Sequence, residues 1–278
     1  MNTTTARKVK IKSRNQDIEG FVGLEAKNKA PTFSRSRVDI IVPFHGQYKR
    51  LISLIESVLR LRTNPYLLTL VDDGSPNVGF LKQIEKVPQL NRIRLEKQVG
   101  FGAALKAGFD ATKQPFVMFM HSDCEALDPS WMLSLGQTLL SLEGQGVGMV
   151  SARSDNPLCE DERFVAKMNT TSEHVILEKG ESMPLYCAMC RRDLFGKIGG
   201  FIKEYPYAMY EDQELSYRMG SRGIKQAISG TSWVKHHGNA TVGEVSRFNP
   251  LALDEMEKNY ERCVEDMKKC RDGGLSTQ

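Results

Sequence analysis

The chain has 278 residues, of which 40% are hydrophobic and 26% are charged, as in an ordinary soluble globular protein. That length is enough for one large domain or two small ones. The net charge of +4 is too small to indicate nucleic-acid binding by itself. No apolar run approaches the roughly 18 residues that a membrane-spanning helix needs, and the N-terminus contains no signal-peptide core. We therefore expect a cytoplasmic protein and leave peripheral contact with a membrane open.

Composition divides the chain into three parts. Residues 1–36 are polar, basic and weakly periodic, and we predict an N-terminal arm or loosely packed extension. Residues 37–245 carry strand and helix patterns in alternation, which predicts an α/β domain. Residues 246–278 are predicted to form a C-terminal amphipathic helix and tail.

The first half of the domain alternates predicted strands with predicted helices. Apolar runs predict strands at 38–42, 66–71, 92–95, 116–120 and 147–150, the first of them stopped by Pro43. Apolar residues at helical spacing predict helices at 49–61, 80–87, 100–112 and 131–142. This alternation is typical of a Rossmann-like, mostly parallel sheet with helices on both faces.

The second half is less regular. Residues 153–184 are polar and hard to assign, which suits a loop region over a site. Further strands are predicted at 186–190, 226–228 and around 233–235, and further helices at 192–198 and 211–221. In the tail, a helix is predicted from the apolar stripe Leu253, Met256, Tyr260, Cys263, Met267 and Cys270. The stripe is shorter than three heptads, so we favour packing against the domain over a homodimer formed through this helix.

The six cysteines include one CxxC pair, Cys187 and Cys190. A zinc site needs a second pair or a Cys/His partner at regular spacing, and none follows. A redox pair would open a helix early in a thioredoxin-like unit, which this one does not. We interpret both as structural thiols.

The strand predicted at 116–120 ends abruptly in polar residues, His121, Ser122, Asp123 and Glu125. Because parallel sheets bind ligands outside the carboxyl ends of their strands, this strand places a carboxylate where ligands usually bind. Two carboxylates at this spacing can hold a divalent cation that neutralises phosphates. A plain polar turn is the alternative.

Other polar clusters follow predicted strands or open predicted helices. They are 43–45, 72–75, 98–100, 210–212 and 236–241. Singly, each is also explained by a turn, a helix cap or a surface position. The chain contains no P-loop, and Gly100-Phe-Gly102 lacks the third glycine of a dinucleotide-binding motif.

Taken together, these clusters resemble the GT-A family 2 glycosyltransferases, most closely the rhamnosyltransferase-like branch. The resemblance covers about residues 37–242 and rests on the segments 38–45, 70–75, 99–108, 119–131, 190–201, 210–218 and 234–238. It implies a GT-A fold. It also implies an inverting, metal-dependent transfer of a sugar from a nucleoside-diphosphate sugar to an acceptor hydroxyl.

The resemblance also implies roles for individual residues. Asp72 is expected to bind the nucleobase or ribose, and the residues expected around the nucleotide sugar are Pro43, His45, Asp73, Ser75, Gly100, Lys106 and Ser122. Asp212 is expected to be the general base, with Glu211 orienting it or the acceptor hydroxyl. For Arg218 an ion pair is favoured over a contact with the diphosphate.

The metal-binding DxD motif of the family reads His121-Ser122-Asp123 here, so its first Asp is missing. Asp123 is then the secure ligand for Mn²⁺ or Mg²⁺, and His236 matches a metal-binding histidine of the branch. An imidazole ligand suits Mn²⁺ better than Mg²⁺. His237 is the less favoured alternative, and a contribution from Glu125 stays open.

Two other functions are weighed against the transferase. The altered DxD motif allows a catalytically weak sugar-nucleotide-binding subunit of a larger assembly. A nucleotidyltransferase ranks last, because no Gly-rich basic loop follows the first strand. The donor sugar cannot be read from the sequence, and the acceptor is expected to be a glycan, a lipid-linked sugar or a modified nucleic-acid base.

Overall fold

The computed structural model describes residues 33, 37–61, 66–76, 79, 87, 90–157, 162–165, 173–201, 205–238 and 251–271. Most of the predicted arm 1–36 and of the predicted helix 80–87 therefore lies outside the described residues, as do residues 239–241. From the predicted arm, Phe33 is described. Its ring is fully buried and packs edge-on against Phe116, with ring centroids 5.0 Å apart.

The described residues form one mixed sheet of nine strands. The strands are β1 Val38–Phe44, β2 Tyr66–Asp72, β3 Leu90–Arg94, β4 Phe116–Met120, β5 Cys124–Ala126, β6 Val147–Ser154, β7 Val175–Ile176, β8 Cys187–Arg191 and β9 Lys225–His236. Their order is β3-β2-β1-β4-β8-β6-β9-β5, and β7 pairs with β9. Strands β1 to β4, β6 and β9 run in one direction, so their carboxyl ends lie at one edge of the sheet. The predicted mostly parallel sheet is confirmed.

Six α-helices are described. They are α1 Tyr48–Arg60, α2 Phe101–Ala111, α3 Trp131–Leu142, α4 Arg192–Lys197, α5 Glu211–Ser221 and α6 Leu251–Arg271. Apolar residues of α1 and α3 form one core with one face of the sheet, and those of α2, α4 and α5 form a second core on the other face. Helix α2 approaches the sheet closely at Gly108, where an added Cβ would lie 2.4 Å from the Ile41 side chain.

Strand β1 is longer than predicted, because it continues through Pro43 to Phe44. A proline removes a backbone donor, which usually stops a central strand. Here β1 pairs with β4 only as far as Ile41, so Pro43 lies beyond the part of β1 that has a neighbour on both sides. The expectation that Pro43 stops the strand was therefore wrong.

The far half of the sheet also differs from prediction. The two short strands expected at 226–228 and 233–235 form one strand, β9, whose register on β6 shifts between Ser151 and Arg153. The short strands β5 and β7 were not predicted. Strand β5 is only three residues long, and it pairs antiparallel with the end of β9.

Helix α6 packs against α5 with a face that differs from the predicted stripe. Met256 and Cys263 are buried as expected, but Leu253 and Tyr260 are 44% and 57% exposed, and Asn259 is fully buried. The prediction took the apolar residues at heptad spacing as the buried face. In the structure, the buried face also includes a polar residue that contacts backbone groups. The favoured packing against the domain is observed, and the alternative of a homodimer through α6 stays open.

The CxxC pair lies on strand β8, on opposite faces of the sheet. Cys187 belongs to the core under α1 and α3, and Cys190 to the core under α2, α4 and α5. Burial raises the pKa of both thiols far above its ordinary value. Side chains on opposite faces cannot share a metal ion, so the interpretation as structural thiols holds.

Within the described parts of the chain, no helix combines the length and apolar character that crossing a membrane requires. The domain boundaries predicted at 36 and 246 remain predictions.

Candidate active site

The loops that follow β1 and β2 are joined by hydrogen bonds at the carboxyl edge of the sheet. The backbone N–H of Gly46 donates to the Ser75 hydroxyl at 2.9 Å. The His45 ring Nδ1 lies 2.7 Å from the backbone oxygen of Asp73. Pro43 is buried at the end of β1 next to them. The structure therefore brings together four of the residues expected around the nucleotide.

Asp72 is buried and both of its carboxylate oxygens have partners. Oδ1 accepts a hydrogen bond from the Ser75 backbone N–H at 2.8 Å, and Oδ2 is paired with the Arg94 guanidinium. Arg94 is the register neighbour of Asp72 on β3, and it also donates to the Ser75 carbonyl at 3.0 Å. Sequence reasoning missed Arg94, although its position at the end of a predicted strand beside Asp72 was a usable signal.

Asp73 holds the loop that leads into α2. Its two carboxylate oxygens accept hydrogen bonds from the backbone N–H groups of Val99 (2.7 Å) and Gly100 (3.0 Å). Burial raises the pKa of Asp73, and these two hydrogen bonds oppose that rise. Asp73 thus fixes backbone geometry at the edge of the site.

Gly100 is at a close approach of two backbone segments. Its φ of 102° is in the region that favours glycine, and an added Cβ would lie 2.6 Å from the Tyr207 nitrogen. The next residue, Phe101, donates its N–H to the Tyr207 oxygen at 2.7 Å. The start of α2 therefore fixes the chain just before α5.

Lys106 and Ser122 have different surroundings. The Lys106 ammonium lies on α2 and pairs with Asp110 one turn later, at 2.7 Å. Ser122 is buried in the turn between His121 and Asp123. Of the two, Ser122 lies directly beside the metal-binding candidates, and the partner of Lys106 is a residue of its own helix.

Three potential metal ligands converge at the end of β4. One ligand atom each from His121, Asp123 and His236 lies within 4.8 Å of the others. The His236 Nε2 atom is 3.2 Å from His121 Nδ1 and 3.2 Å from Asp123 Oδ1. The cluster unites both predicted ligands and adds His121, which occupies the place of the missing first Asp in the DxD motif.

The short strand β5 explains how His236 reaches Asp123 across more than a hundred residues. Cys124 is the register partner of His236 in the antiparallel pairing of β5 with β9. The His237 N–H also donates to the Asp123 carbonyl at 3.0 Å. Sequence patterns did not reveal this three-residue strand, so the proximity of His236 rested on the family resemblance alone.

Neighbouring groups fix the His236 imidazole. Its Nδ1 is 2.8 Å from the Asn156 carbonyl, to which it can only donate, so Nε2 carries the free lone pair in the neutral ring. The buried Tyr186 ring stacks on it with centroids 5.1 Å apart and planes 23° apart. The His121 ring is contacted edge-on by Phe101 at 4.9 Å.

The charges of the cluster suit a divalent cation. Burial and the neighbouring His236 lower the pKa of His121 to about 4. Burial alone would raise the pKa of Asp123, but the hydrogen bond with His236 and the two imidazole charges lower it to about 2. Near neutral pH His121 is therefore neutral and Asp123 is ionised, so an imidazole nitrogen and a carboxylate oxygen are available to a cation. A cation that accepts both nitrogen and oxygen ligands fits this donor set.

Glu125 and His237 form a separate pair next to the cluster. The His237 Nε2 atom lies 2.5 Å from Glu125 Oε1, with the two side chains 14% and 22% exposed. Each of them is therefore engaged with the other. Neither belongs to the three-residue cluster, which leaves His236 as the histidine that faces Asp123.

Helix α5 opens with the two carboxylates expected to be catalytic. Glu211 is buried, and its Oε1 has no hydrogen-bond partner among the described residues. Burial and the charge of Asp212 raise the pKa of Glu211 to about 8. Asp212 is partly exposed, and burial of its carboxyl group raises its pKa to about 6 although the Gln213 N–H donates to it at 2.9 Å. Such raised values are typical of acid–base sites.

The chain that leads into α5 is strained. Tyr207, Met209 and Tyr210 all have positive φ angles, of 64°, 83° and 72°. A non-glycine residue in this region costs about 1–3 kcal/mol, so other contacts must hold the segment in place. One of them is the Phe101 hydrogen bond to Tyr207, and Phe101 also touches His121. Phe101 therefore links the strained segment to one of the metal-binding candidates, His121.

Arg218 forms the ion pair that was favoured from the sequence. Its guanidinium lies 2.6 Å from Glu214 Oε1, and both side chains are buried. It also donates to the Gly200 carbonyl at 2.7 Å. Arg218 therefore ties α5 to the turn before it.

Comparison with known proteins gives the same family as the order of the motifs. The sequence profile of the family Glycosyl transferase family 2 matches residues 39–199. Among curated proteins, the chain is 21% identical over 240 residues to the O-antigen biosynthesis protein RfbC of Myxococcus xanthus. The match covers 78% of this chain and 18% of that protein, so the chain spans about a fifth of the length of this relative.

Solved structures of glycosyltransferases share the fold. GalNAc-T7 with UDP, GalNAc and Mn²⁺ aligns with a TM-score of 0.58 and 16% identity, over 72% of this chain and 44% of that one. The mannosyltransferase PcManGT of Pyrobaculum calidifontis, in complex with GDP-Man and Mn²⁺, also gives 0.58 and 16%, over 77% and 61%. TarS of S. aureus, residues 1–349, gives 0.53 and 16%, over 84% and 71%. The predicted GT-A fold is confirmed.

Proposed function

The chain belongs to glycosyl transferase family 2, and from this premise we propose that it is an inverting, metal-dependent glycosyltransferase. Its donor is a nucleoside-diphosphate sugar, and its acceptor is a hydroxyl group. The observation that carries the proposal is the linkage of two groups at one sheet edge. The cluster His121, Asp123 and His236 is connected through Phe101 to the chain that presents Glu211 and Asp212.

The metal ligands proposed are His121, Asp123 and His236. These three residues would hold a divalent cation, which would supply positive charge next to the departing diphosphate. Two imidazoles and one carboxylate favour Mn²⁺ over Mg²⁺, which prefers an all-oxygen shell. Mn²⁺ is the ion present in the structures of GalNAc-T7 and PcManGT, which supports this choice.

Asp212 is proposed as the general base. The acceptor oxygen forms a bond to the anomeric carbon, the bond from that carbon to the diphosphate oxygen breaks, and the acceptor proton passes to Asp212. A pKa of about 6 leaves Asp212 ionised at neutral pH yet more basic than an ordinary carboxylate. Glu211, with a pKa of about 8, is then mainly protonated. It can therefore donate a hydrogen bond to Asp212 or to the acceptor without adding a second negative charge.

The nucleotide is proposed to lie against the loops after β1 and β2. Pro43, His45 and Asp72 are the contacts proposed on this side, whereas Asp73, Ser75 and Gly100 fix the loop backbones. Ser122 lies in the turn between His121 and Asp123, and a contact with the donor stays a prediction. A contact between Lys106 and the donor stays a prediction, since its ammonium pairs with Asp110.

The test is a screen of the purified protein for thermal stabilisation by UDP-sugars and GDP-sugars, with and without Mn²⁺. The proposal expects one nucleotide sugar to stabilise the protein in a Mn²⁺-dependent manner and to release nucleoside diphosphate. Nucleotide binding that is independent of metal, without any release, would instead support the catalytically weak binding subunit. The acceptor class (glycan, lipid-linked sugar or modified nucleic-acid base) and a cytoplasmic location with peripheral membrane contact remain proposals.

A further inference from the structure

Helix α6 lies outside the region matched by the family profile, which ends at residue 199. We propose that Asn259 of this helix is a positioning residue for the Glu211–Asp212 pair. The inference rests on the proposed function, because it assigns the residue a part in that reaction. Asn259 would not touch substrate, and would act through the chain segment 205–210 that precedes α5.

Asn259 is a buried polar residue in a helix that is otherwise highly charged. Its Nδ2 group donates two hydrogen bonds, to the Pro206 oxygen at 3.0 Å and to the Ala208 oxygen at 2.9 Å. These two carbonyls flank Tyr207. Both hydrogens of the amide are therefore used to hold one short stretch of backbone.

A second contact fixes the direction of the amide. The Arg262 guanidinium donates to Asn259 Oδ1 at 2.5 Å, and it pairs with Glu255 Oε2 at 3.0 Å. If the amide were turned over, its oxygen would face two carbonyl oxygens and its NH₂ group would face a cation. Arg262 thus keeps the donors of Asn259 directed at the segment.

The segment needs such a clamp because it is strained. Tyr207, Met209 and Tyr210 have left-handed backbone angles, and Glu211 follows directly. On one side the Phe101 N–H holds the Tyr207 oxygen, and on the other side Asn259 holds the carbonyls next to it. A further contact from α6 is the hydrogen bond from the Tyr205 hydroxyl to Asp266, at 3.0 Å. Hydrogen bonds with helix α6 and with the start of α2 therefore hold the segment from two sides.

Without Asn259 the segment can relax toward ordinary backbone angles, and Asp212 at its end then moves. A displacement of about 1 Å at a reacting group can lower a rate about 100-fold without weakening substrate binding. A residue that only stabilised the helix packing would lower the melting temperature and leave the rate constant of the folded enzyme unchanged. The two roles therefore predict different measurements.

The first test compares Asn259→Leu with wild type, because Leu keeps the volume and removes both donors. Amide hydrogen exchange of residues 207–210 is expected to become at least about 10-fold faster. With the nucleotide sugar and Mn²⁺ identified in the screen, kcat for release of nucleoside diphosphate is expected to fall about 100-fold, with KM within about twofold. Leu253→Ala, on the exposed side of the same helix, is the control and should match wild type in all three.

Arg262→Met is the second variant, chosen in case Asn259→Leu does not fold. It leaves the two hydrogen bonds to the segment and frees the amide to turn, so a fall in kcat of about 10-fold at unchanged KM is expected. Wild-type exchange rates at 207–210 in both folded variants would overturn the inference, whatever the activity. Faster exchange with unchanged kcat would overturn it too. Failure of wild type to release nucleoside diphosphate would instead count against the proposed function.

Discussion

Two regions meet at Gly100: the loops after β1 and β2, and the segment before α5. They differ in whether their buried carboxylate oxygens have hydrogen-bond partners. In the loops, Asp72 and Asp73 are buried with all four carboxylate oxygens paired. At the start of α5, Glu211 is buried, and one of its carboxylate oxygens has no hydrogen-bond partner among the described residues. The loops therefore have the properties of a rigid scaffold.

The segment before α5 has the properties of a reactive site. Three non-glycine residues in left-handed conformation precede two carboxylates with raised pKa values. Strain and unsatisfied polar groups that persist in a folded protein are concentrated at functional sites, because selection for activity maintains them. We propose that the first region binds the donor and that the second transfers the proton. Three of the four substitutions below test this division, and His121→Ala tests the metal-binding cluster.

The largest effect is expected for Asp212→Asn. The amide cannot accept the acceptor proton, so turnover should fall about 1,000-fold while the dissociation constant of the donor stays within about twofold. Release of nucleoside diphosphate and donor titration provide the measurements, with Asp254→Asn as an exposed control. Retention of full turnover would remove Asp212 from the proposed role.

The next effect is expected for His121→Ala, which removes a ligand that the DxD motif did not predict. Loss of one of three protein ligands should weaken Mn²⁺ binding by about 100-fold or more, measured by titration of the free ion. His237→Ala should have a much smaller effect, because His237 pairs with Glu125. Equal losses in the two variants would contradict the assignment of the cluster.

Glu211→Gln is expected to stabilise the protein while it impairs turnover. Because the pKa of Glu211 is raised from 4.5 to about 8 in the folded state, folding stability is lost as the pH rises from about 4.5 to 8. The size of this loss at pH 7 is about 3 kcal/mol. The glutamine has no such charge, so its free energy of unfolding, relative to wild type, should rise between pH 5 and pH 8. Denaturant unfolding at both pH values measures it, and parallel pH dependences would show that folding does not raise the pKa of Glu211.

The smallest effect is expected for Asp73→Ala. This change removes two charge-assisted hydrogen bonds and leaves the N–H groups of Val99 and Gly100 without their acceptor, at a cost of about 2 kcal/mol in stability. Denaturant unfolding gives the free energy, and the folded fraction should retain a measurable turnover. A loss of turnover as large as that of Asp212→Asn, at unchanged stability, would place Asp73 among the reacting groups instead.

Local patterns predicted much of the fold. Apolar runs located β1, β2, β4 and β6, and helical spacing placed α3 at the observed residues Trp131–Leu142. These strands and helices bury continuous apolar faces, so the pattern of apolar residues is enough to predict them. The roles of Asp123, His236, Glu211 and Asp212 came from resemblance to a family rather than from spacing, and they stay predictions.

Other features were decided only by the tertiary structure. Strand β5 has three residues, too few for any periodicity, yet its pairing with β9 brings His236 to Asp123. His121 became a candidate ligand and Arg94 the partner of Asp72 only when the strand ends met. On α6 the heptad pattern placed Leu253 and Tyr260 on the buried face together with Met256 and Cys263, but Leu253 and Tyr260 are exposed. Asn259 is buried instead, and it donates to two backbone carbonyls of a segment distant in sequence. The sequence determines which residues are apolar and which are polar or charged. Contacts between segments distant in sequence determine which of these side chains come together.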